Sequence, residues 1–239
     1  MSKHTEKKLL KTYQMDRRGN LRPTMLMNEL QAVADTHADI LGFGRKMCIE
    51  KNVAWVLTHF LIDIIEMPGD SEIVEISTWP SVHDAIRAAR DYEIRGADGR
   101  LMVRATSQWI LIDTTARRPV RLAEYTGDFM ASGIRAYDRI FDKIPDFAPT
   151  KTLDFRCRYD DIDMNQHINN AVYAVWATES VGFEFRDTHR LRKIDIVFKK
   201  EIAPDVARIE VDVAIDGLVS RHKIRSHDTE HASVVCEWE

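Results

Sequence analysis

No stretch of this 239-residue chain approaches the roughly 18 uninterrupted apolar residues that a membrane span needs. The opening MSKHTEKKLLKTY has no apolar run of the kind a signal peptide carries. Cysteine is scarce: Cys48, Cys157 and Cys236 are odd in number and far apart, and they imply neither a disulfide framework nor a zinc knuckle. A basic excess is missing too. The 34 Lys and Arg stand against 38 Asp and Glu, and a formal net charge of −4 argues against a general nucleic-acid binder. A cytoplasmic, globular protein is the expectation. With 44% hydrophobic residues the chain can bury one large core or two modest ones.

What is present is an order of elements that runs twice. Leu9 to Met15 reads as a strand ending at the turn Asp16-Arg17-Arg18-Gly19-Asn20. Pro23 then suits the first position of a helix whose stripe is Leu26, Leu30, Val33, Ala34, His37 and Leu41, with Gly42 and Gly44 as its stop. Asn52 to Ile65, apolar and β-branched, predicts a strand buried on both faces. Ile73 to Trp79 and Ala85 to Arg95 alternate as half-buried strands do, and Asp98-Gly99 predicts a hairpin into Met102 to Ile112. Arg117 to Pro149 lacks periodicity and reads as a linker with some helix.

The second half predicts a strand at Leu153 to Arg158, a helix over Ala171 to Gly182, and strands at Ile194 to Phe198, Arg208 to Ile215, Val219 to Ile224 and Val234 to Trp238. Tyr13 before the first helix echoes Tyr159 before the second, and Ile62-Asp63-Ile64 echoes Ile194-Asp195-Ile196. A long helix followed by an antiparallel sheet is accommodated most simply if the sheet curls around the helix. The expectation is therefore an α+β chain of two such units, over residues 1–130 and 151–239, with 131–150 between them.

The halves differ between strand and helix. Where the first has Arg17, Gly19 and Leu21, the second has Asp163, Asn165 and His167, an acid, an amide and an imidazole at every second position. If extended, that run projects all three to one side. Asn169 and Asn170 follow, suited to cap a helix. A calcium loop is the wrong reading, because Gln166 stands where a Gly is wanted and Val172 where a bidentate Glu is wanted. An acidic turn that merely caps its helix is the competing structural explanation.

The run D-x-D-x-N-Q-H-x-N-N-x-x-Y at Asp161 to Tyr173, the strand Asn52-Val53-Ala54-Trp55-Val56-Leu57-Thr58, and Trp109 to Arg118 resemble, in order, the fatty acyl-ACP thioesterases of plants and bacteria. The resemblance implies two tandem hotdog domains, the first holding an acyl chain and the second the catalytic residues. It implies a catalytic set of Asp163, Asn165, His167 and Glu201, the last from the Phe198-Lys199-Lys200-Glu201 run. It also implies substrate contacts from Asn169, Asn170, Met25, Met27, Trp55 and Thr58. Many plant members carry a Cys after that Glu, whereas Ile202 stands here, which points to activated water rather than a thiol nucleophile. A family Lys two residues after the paired Asn is replaced by Val172.

The resemblance implies no metal and no other cofactor. The implied partner is an acyl carrier protein, whose acidic surface the clusters Arg117, Arg118, Arg121 and Arg186, Arg190, Arg192, Lys193 would meet. Two paired units in one chain remove the need for a homodimer without forbidding one. An acyl-CoA thioesterase and a non-catalytic acyl-binding module are the alternatives.

Overall fold

The computed structural model describes residues 3–127, 131–137 and 141–239. The chain divides into two compact units, Met1–Phe141 and Asp142–Glu239. The expected boundary at residue 130 lies outside the described residues.

In the first unit, β1 (His4–Leu9) leads through a short 3-10 turn at Thr12–Gln14 to α1 (Pro23–Ile40) and α2 (Arg45–Lys51). Then come β2 (Val53–Ile64), β3 (Ile73–His83), β4 (Arg87–Gly96), β5 (Leu101–Asp113), the two-residue β6 (Arg118–Pro119) and α3 (Ala123–Thr126). The strand order is β1-β3-β4-β5-β2, antiparallel throughout, with β6 on β5. Helix α1 begins on Pro23, whose fixed φ suits the first turn, and ends where Gly42 takes φ +84°, a conformation costly to any residue with a Cβ. Its buried stripe, including Leu26, Met27, Leu30 and Val33, packs on β3.

The second unit repeats the theme. Strand β7 (Lys151–Arg156) precedes α4 (Asn170–Ser180) and α5 (Phe183–Thr188). The strands β8 (Leu191–Phe198), β9 (Arg208–Asp216), β10 (Val219–Ser226) and β11 (Thr229–Trp238) follow, in sheet order β8-β11-β10-β9-β7. Helix α4 packs on β9, β10 and β11. Each unit is the helix-and-sheet arrangement of a hotdog domain, and the fold class is α+β. Among the described residues no helix is long and apolar enough to cross a membrane.

Several expectations need correction. The first strand is His4–Leu9, not Leu9 to Met15: its alternating burial runs through charged residues, and it reads poorly in sequence because it pairs on one side only, with β3. Strand β3 continues past Trp79 because Pro80 falls at a register shift, where a missing N–H is tolerated. The short helices α2 and α5 were not expected. Of the segment expected as a linker, residues 132–136 are bonded onto the first unit, with Ser132 N–H on the Pro80 carbonyl and Ala136 N–H on the Asp91 carboxylate. Thr150 donates its N–H to Val213 of the second unit.

A buried histidine locks α4 to its sheet. Ser180 donates its hydroxyl to the Ala177 carbonyl at 2.8 Å, so its oxygen accepts from His222 Nδ1–H at 2.9 Å. That leaves His222 Nε2 to accept from Ser220, whose oxygen also receives the Trp238 indole N–H at 2.9 Å. Burial, with Lys151's charge adding, pulls the His222 pKa down to about 3. An unfolded imidazole protonates near about 6.5, so the unfolded chain takes the proton first. Stability from this group is full above about pH 6.5 and declines as pH falls towards 3. Thermal midpoints followed by circular dichroism from pH 7.5 to 4 should fall, and His222→Gln should lower the midpoint at pH 7.5 while making the acid decline shallower.

Candidate active site

The polar run of the second unit is folded back on itself, not extended. Ile162 and Ile168 form an antiparallel bridge, and the five residues between them close a turn. Asp163 N–H donates to the His167 carbonyl at 2.8 Å, and Gln166 N–H to the Asp163 carbonyl at 3.0 Å. The Asp163 carboxylate accepts from Asn165 N–H at 2.8 Å, from His167 N–H at 3.5 Å and from the Asn165 side-chain amide at 3.4 Å. Asp163, Asn165 and His167 are thus gathered by a side-chain-capped turn, and strand periodicity plays no part. Gln166 takes φ +62°, the left-handed conformation the reversal requires.

The turn is anchored at both ends. Arg158 clasps the buried Asp161 carboxylate through Nε and Nη2, and the Asp161 carbonyl accepts from Asn169 N–H at 2.8 Å. Asn169 caps α4, its side chain accepting from Ala171 N–H at 2.8 Å while its carbonyl takes Val172 N–H at 2.9 Å. The Ala171 and Val172 amides that open the helix are therefore already bonded, and α4 offers its dipole rather than those donors. Asn170 is the first helical residue.

Glu201 lies just beyond β8 and meets His167 there, Nε2 to Oε2 at 3.5 Å, each side chain 36% exposed. Its backbone is held on both sides. The Ile202 carbonyl accepts from Ile168 N–H at 3.4 Å, tying the Glu201 segment to the polar turn. The Lys200 carbonyl accepts from His231 Nδ1 at 3.0 Å, which fixes the tautomer, and His231 Nε2 then accepts from Ser226 at 2.7 Å. Burial and the Lys200 charge draw the His231 pKa down, so it stays a neutral strut. Nothing in the sequence near His231 announced this role. Burial, with Glu201 and Cys157 adding, pushes the Tyr173 phenol far above its ordinary range. Burial, with Asp161 adding, also raises the Cys157 thiol, leaving it a poor nucleophile.

The first unit contains the same turn at a constant offset. Met15 and Leu21 bridge as Ile162 and Ile168 do. The Asp16 carboxylate accepts from Arg18 N–H at 2.8 Å and Asn20 N–H at 3.0 Å, and Asp16 N–H donates to the Asn20 carbonyl at 2.8 Å. Leu21 N–H reaches the Pro68 carbonyl as Ile168 N–H reaches that of Ile202. The matched positions are therefore Asp16, Arg18 and Asn20, one residue away from the Arg17, Gly19 and Leu21 read from sequence, and Met67 stands where the second unit has Glu201. The aspartate persists in a turn with Arg18 in place of Asn165, Asn20 in place of the imidazole and Met67 in place of the glutamate.

The first unit also holds a pocket of about 650 Å³, counting its open mouth, with apolar walls from Phe43, Trp55, Pro80, Trp109 and Leu122. Trp55 is fixed there by its indole N–H on the Phe43 carbonyl at 2.9 Å. Met25, Met27 and Thr58 do not line this pocket: Met27 is fully buried in the α1 stripe, Met25 is half-buried, and Thr58 donates its hydroxyl to the Gln108 carbonyl at 3.0 Å. Asp35 and Arg90, which sequence reading passed over, do line it. Among the described residues no group of three or more His, Cys, Asp or Glu side chains is gathered as a metal site would gather them.

The pattern of the acyl-ACP thioesterase N-terminal domain matches residues 1–129, and that of the C-terminal domain residues 146–239. The chain is 29% identical over 222 residues to an oleoyl-acyl carrier protein thioesterase of Arabidopsis thaliana, covering 84% of this chain and 60% of that protein. To an acyl-[acyl-carrier-protein] hydrolase of Cuphea viscosissima it is 33% identical over 208 residues, covering 80% and 49%. It thus spans three fifths or less of these relatives' length. A Lactobacillus plantarum structure assigned as an oleoyl thioesterase superposes with a TM-score of 0.89 at 27% identity, covering 100% of this chain and 96% of that one. The 12:0-ACP thioesterase of Umbellularia californica, at 19% identity and a TM-score of 0.85, shares the fold, with coverage of 99% and 97%.

Left-handed backbone costs a residue with a Cβ about 1–2 kcal/mol, and a β-branched side chain suffers most. Gly19 occupies the matched position of the first turn at φ +77°. Thermal unfolding should therefore show Gln166→Gly as stable as the parent, and Gln166→Ile lower by at least about 1 kcal/mol.

Proposed function

The chain belongs to the acyl-ACP thioesterase family, and from that premise we propose that it hydrolyses the thioester of a fatty acyl-ACP, releasing the fatty acid and the carrier thiol at the end of fatty-acid synthesis. The observation that carries this reading is the contact of His167 with Glu201, two groups far apart in sequence that face each other at 3.5 Å where solvent can reach them.

The chemistry needs a nucleophilic water, a stabilised oxyanion and a proton for the leaving thiolate. The His167–Glu201 pair takes a proton from water as its oxygen adds to the thioester carbon. Collapse of the tetrahedral intermediate breaks the C–S bond, and the same pair returns the proton to sulfur. Asn165, exposed on the turn and hydrogen-bonded to Asp163, orients the water or the thioester. Asp163 works through the backbone it holds. The first unit's pocket, with Trp55 in its wall, takes the acyl tail.

For the carrier, the exposed Arg118 and Arg121 form the better docking surface. In the other cluster Arg186 pairs with Glu179, Arg192 with Glu239 and Lys193 with Glu237. Three free cysteines suit a reducing cytoplasm as the setting.

Thiol release from a panel of acyl-ACP and acyl-CoA substrates tests the reading and separates the two carriers; release from neither sinks hydrolysis in favour of acyl binding alone. Glu201→Ala and His167→Ala should each lower kcat by at least about a hundredfold with the fold intact, whereas Cys157→Ala should retain activity. Asn forms the same side-chain-capped turn as Asp, so Asp163→Asn should stay within about threefold of the parent kcat and Asp163→Ala should lose about tenfold or more. Equal losses in the two would show that the carboxylate's charge takes part in the chemistry.

A further inference from the structure

The pocket of the first unit is walled mainly by apolar residues, with His83 and Thr126 also in its lining, and its two formally charged residues stand on α1 and β4. Arg90, on β4, is only 7% exposed yet lines the cavity. One of its guanidinium nitrogens, Nη1, lies 3.1 Å from His37 Nδ1 and 3.3 Å from the Thr78 hydroxyl. His37 has to accept at that nitrogen, and it is kept neutral: burial, then the Arg90 and His4 charges, bring its pKa down to about 4. Nε and Nη2 of Arg90 have no hydrogen-bond partner among the described residues, and no buried side-chain donor or acceptor among them is left unsatisfied, so both nitrogens keep accessible surface on a side chain that lines the pocket.

Asp35, on α1, lines the same pocket and reaches solvent at its mouth. It is close enough to Arg90 for each charge to shift the other, yet the two form no ion pair within 4.0 Å. An anion and a cation therefore share one apolar cavity with a gap between them. An unsubstituted hydrocarbon filling the gap would strip water from both charges and return no hydrogen bond. A hydroxyl both accepts and donates, so it can take an Arg90 N–H and give its proton to Asp35.

We propose that this pocket selects an acyl chain carrying a hydroxyl group within its length, with Arg90 donating to the hydroxyl oxygen and Asp35 accepting its proton. The proposal rests on the reading of the pocket as the seat of the acyl tail. A site built to hydrogen-bond a substrate hydroxyl rejects the analogue lacking it, because its own polar groups are then left unpaired.

Equilibrium binding tests this without requiring turnover. A fluorescent fatty acid bound to the full chain is displaced by saturated fatty acids and by their monohydroxy counterparts, with the hydroxyl at successive carbons. At one hydroxyl position the hydroxy acid should bind at least about tenfold more tightly than its parent. Asp35→Leu, at a solvent-reaching helix position and with folding checked by circular dichroism, should bring that ratio to about two or less while binding the parent acid at least as well. Arg90→Met should do the same if it folds; the Asp35 variant decides the matter if it does not. Equal binding of parent and hydroxy acids at every position overturns the proposal, as does a preference that survives Asp35→Leu. Thiol release from unsubstituted acyl-ACP alongside equal binding would leave hydrolysis standing and remove only the hydroxyl selection. Absent thiol release with a hydroxyl preference would do the reverse.

Discussion

The Asp163 carboxylate accepts from the amides of Asn165 and His167, while the Asp163 amide bonds back to the His167 carbonyl. A reversal this tight leaves backbone donors that no strand partner can reach, and an unpaired donor near the protein interior is expensive. One short side chain supplies what a ladder would otherwise supply. Everything downstream inherits that arrangement, since the Ile168 amide, fixed by the closing bridge, ties the turn to the Ile202 carbonyl and so to the backbone that presents Glu201. The His167–Glu201 contact is the end of a chain of backbone hydrogen bonds that begins at an aspartate.

How much of this the sequence discloses depends on how local the determining interaction is. The α1 helix was legible because Pro23, the apolar stripe and Gly42 are all contained in one segment. Asp163, Asn165 and His167 were legible as a group for the same reason, although their spacing suggested a strand and a side-chain-capped turn took precedence. Glu201 came only by resemblance, because nothing in a Lys-Lys-Glu run says that it faces a histidine. His231, which holds Lys200, and the Arg90–Asp35 pocket gave no signal at all; each joins residues from separate elements, and only the completed sheet sets their distance. The first strand was misplaced because its alternation runs through Lys and Glu, which an edge strand tolerates and a hydrophobicity pattern passes over.

The second unit carries its own rigid frame around this site. The buried relay of Trp238, Ser220, His222 and Ser180 uses every available proton and joins α4 to β10 and β11, while Asn169 secures the start of the same helix. Catalytic geometry set by exposed loop residues is precise only when the elements beneath it cannot shift. Here the helix that follows the polar turn is fixed at both ends, one by a cap and the other by a neutral histidine.

The twin turn of the first unit shows which part of the arrangement does not depend on the polar set of the second. Asp16 closes its loop as Asp163 does, with Arg18 and Asn20 beside it in place of Asn165 and His167. The aspartate is the member that both turns share, and in both its carboxylate holds two backbone amides. On the proposed reading, the two positions that differ are the ones the chemistry uses, and the one that persists is the one the backbone needs. The first turn therefore serves as an internal control: it shows that the reversal closes on its aspartate alone, without the imidazole or the facing glutamate.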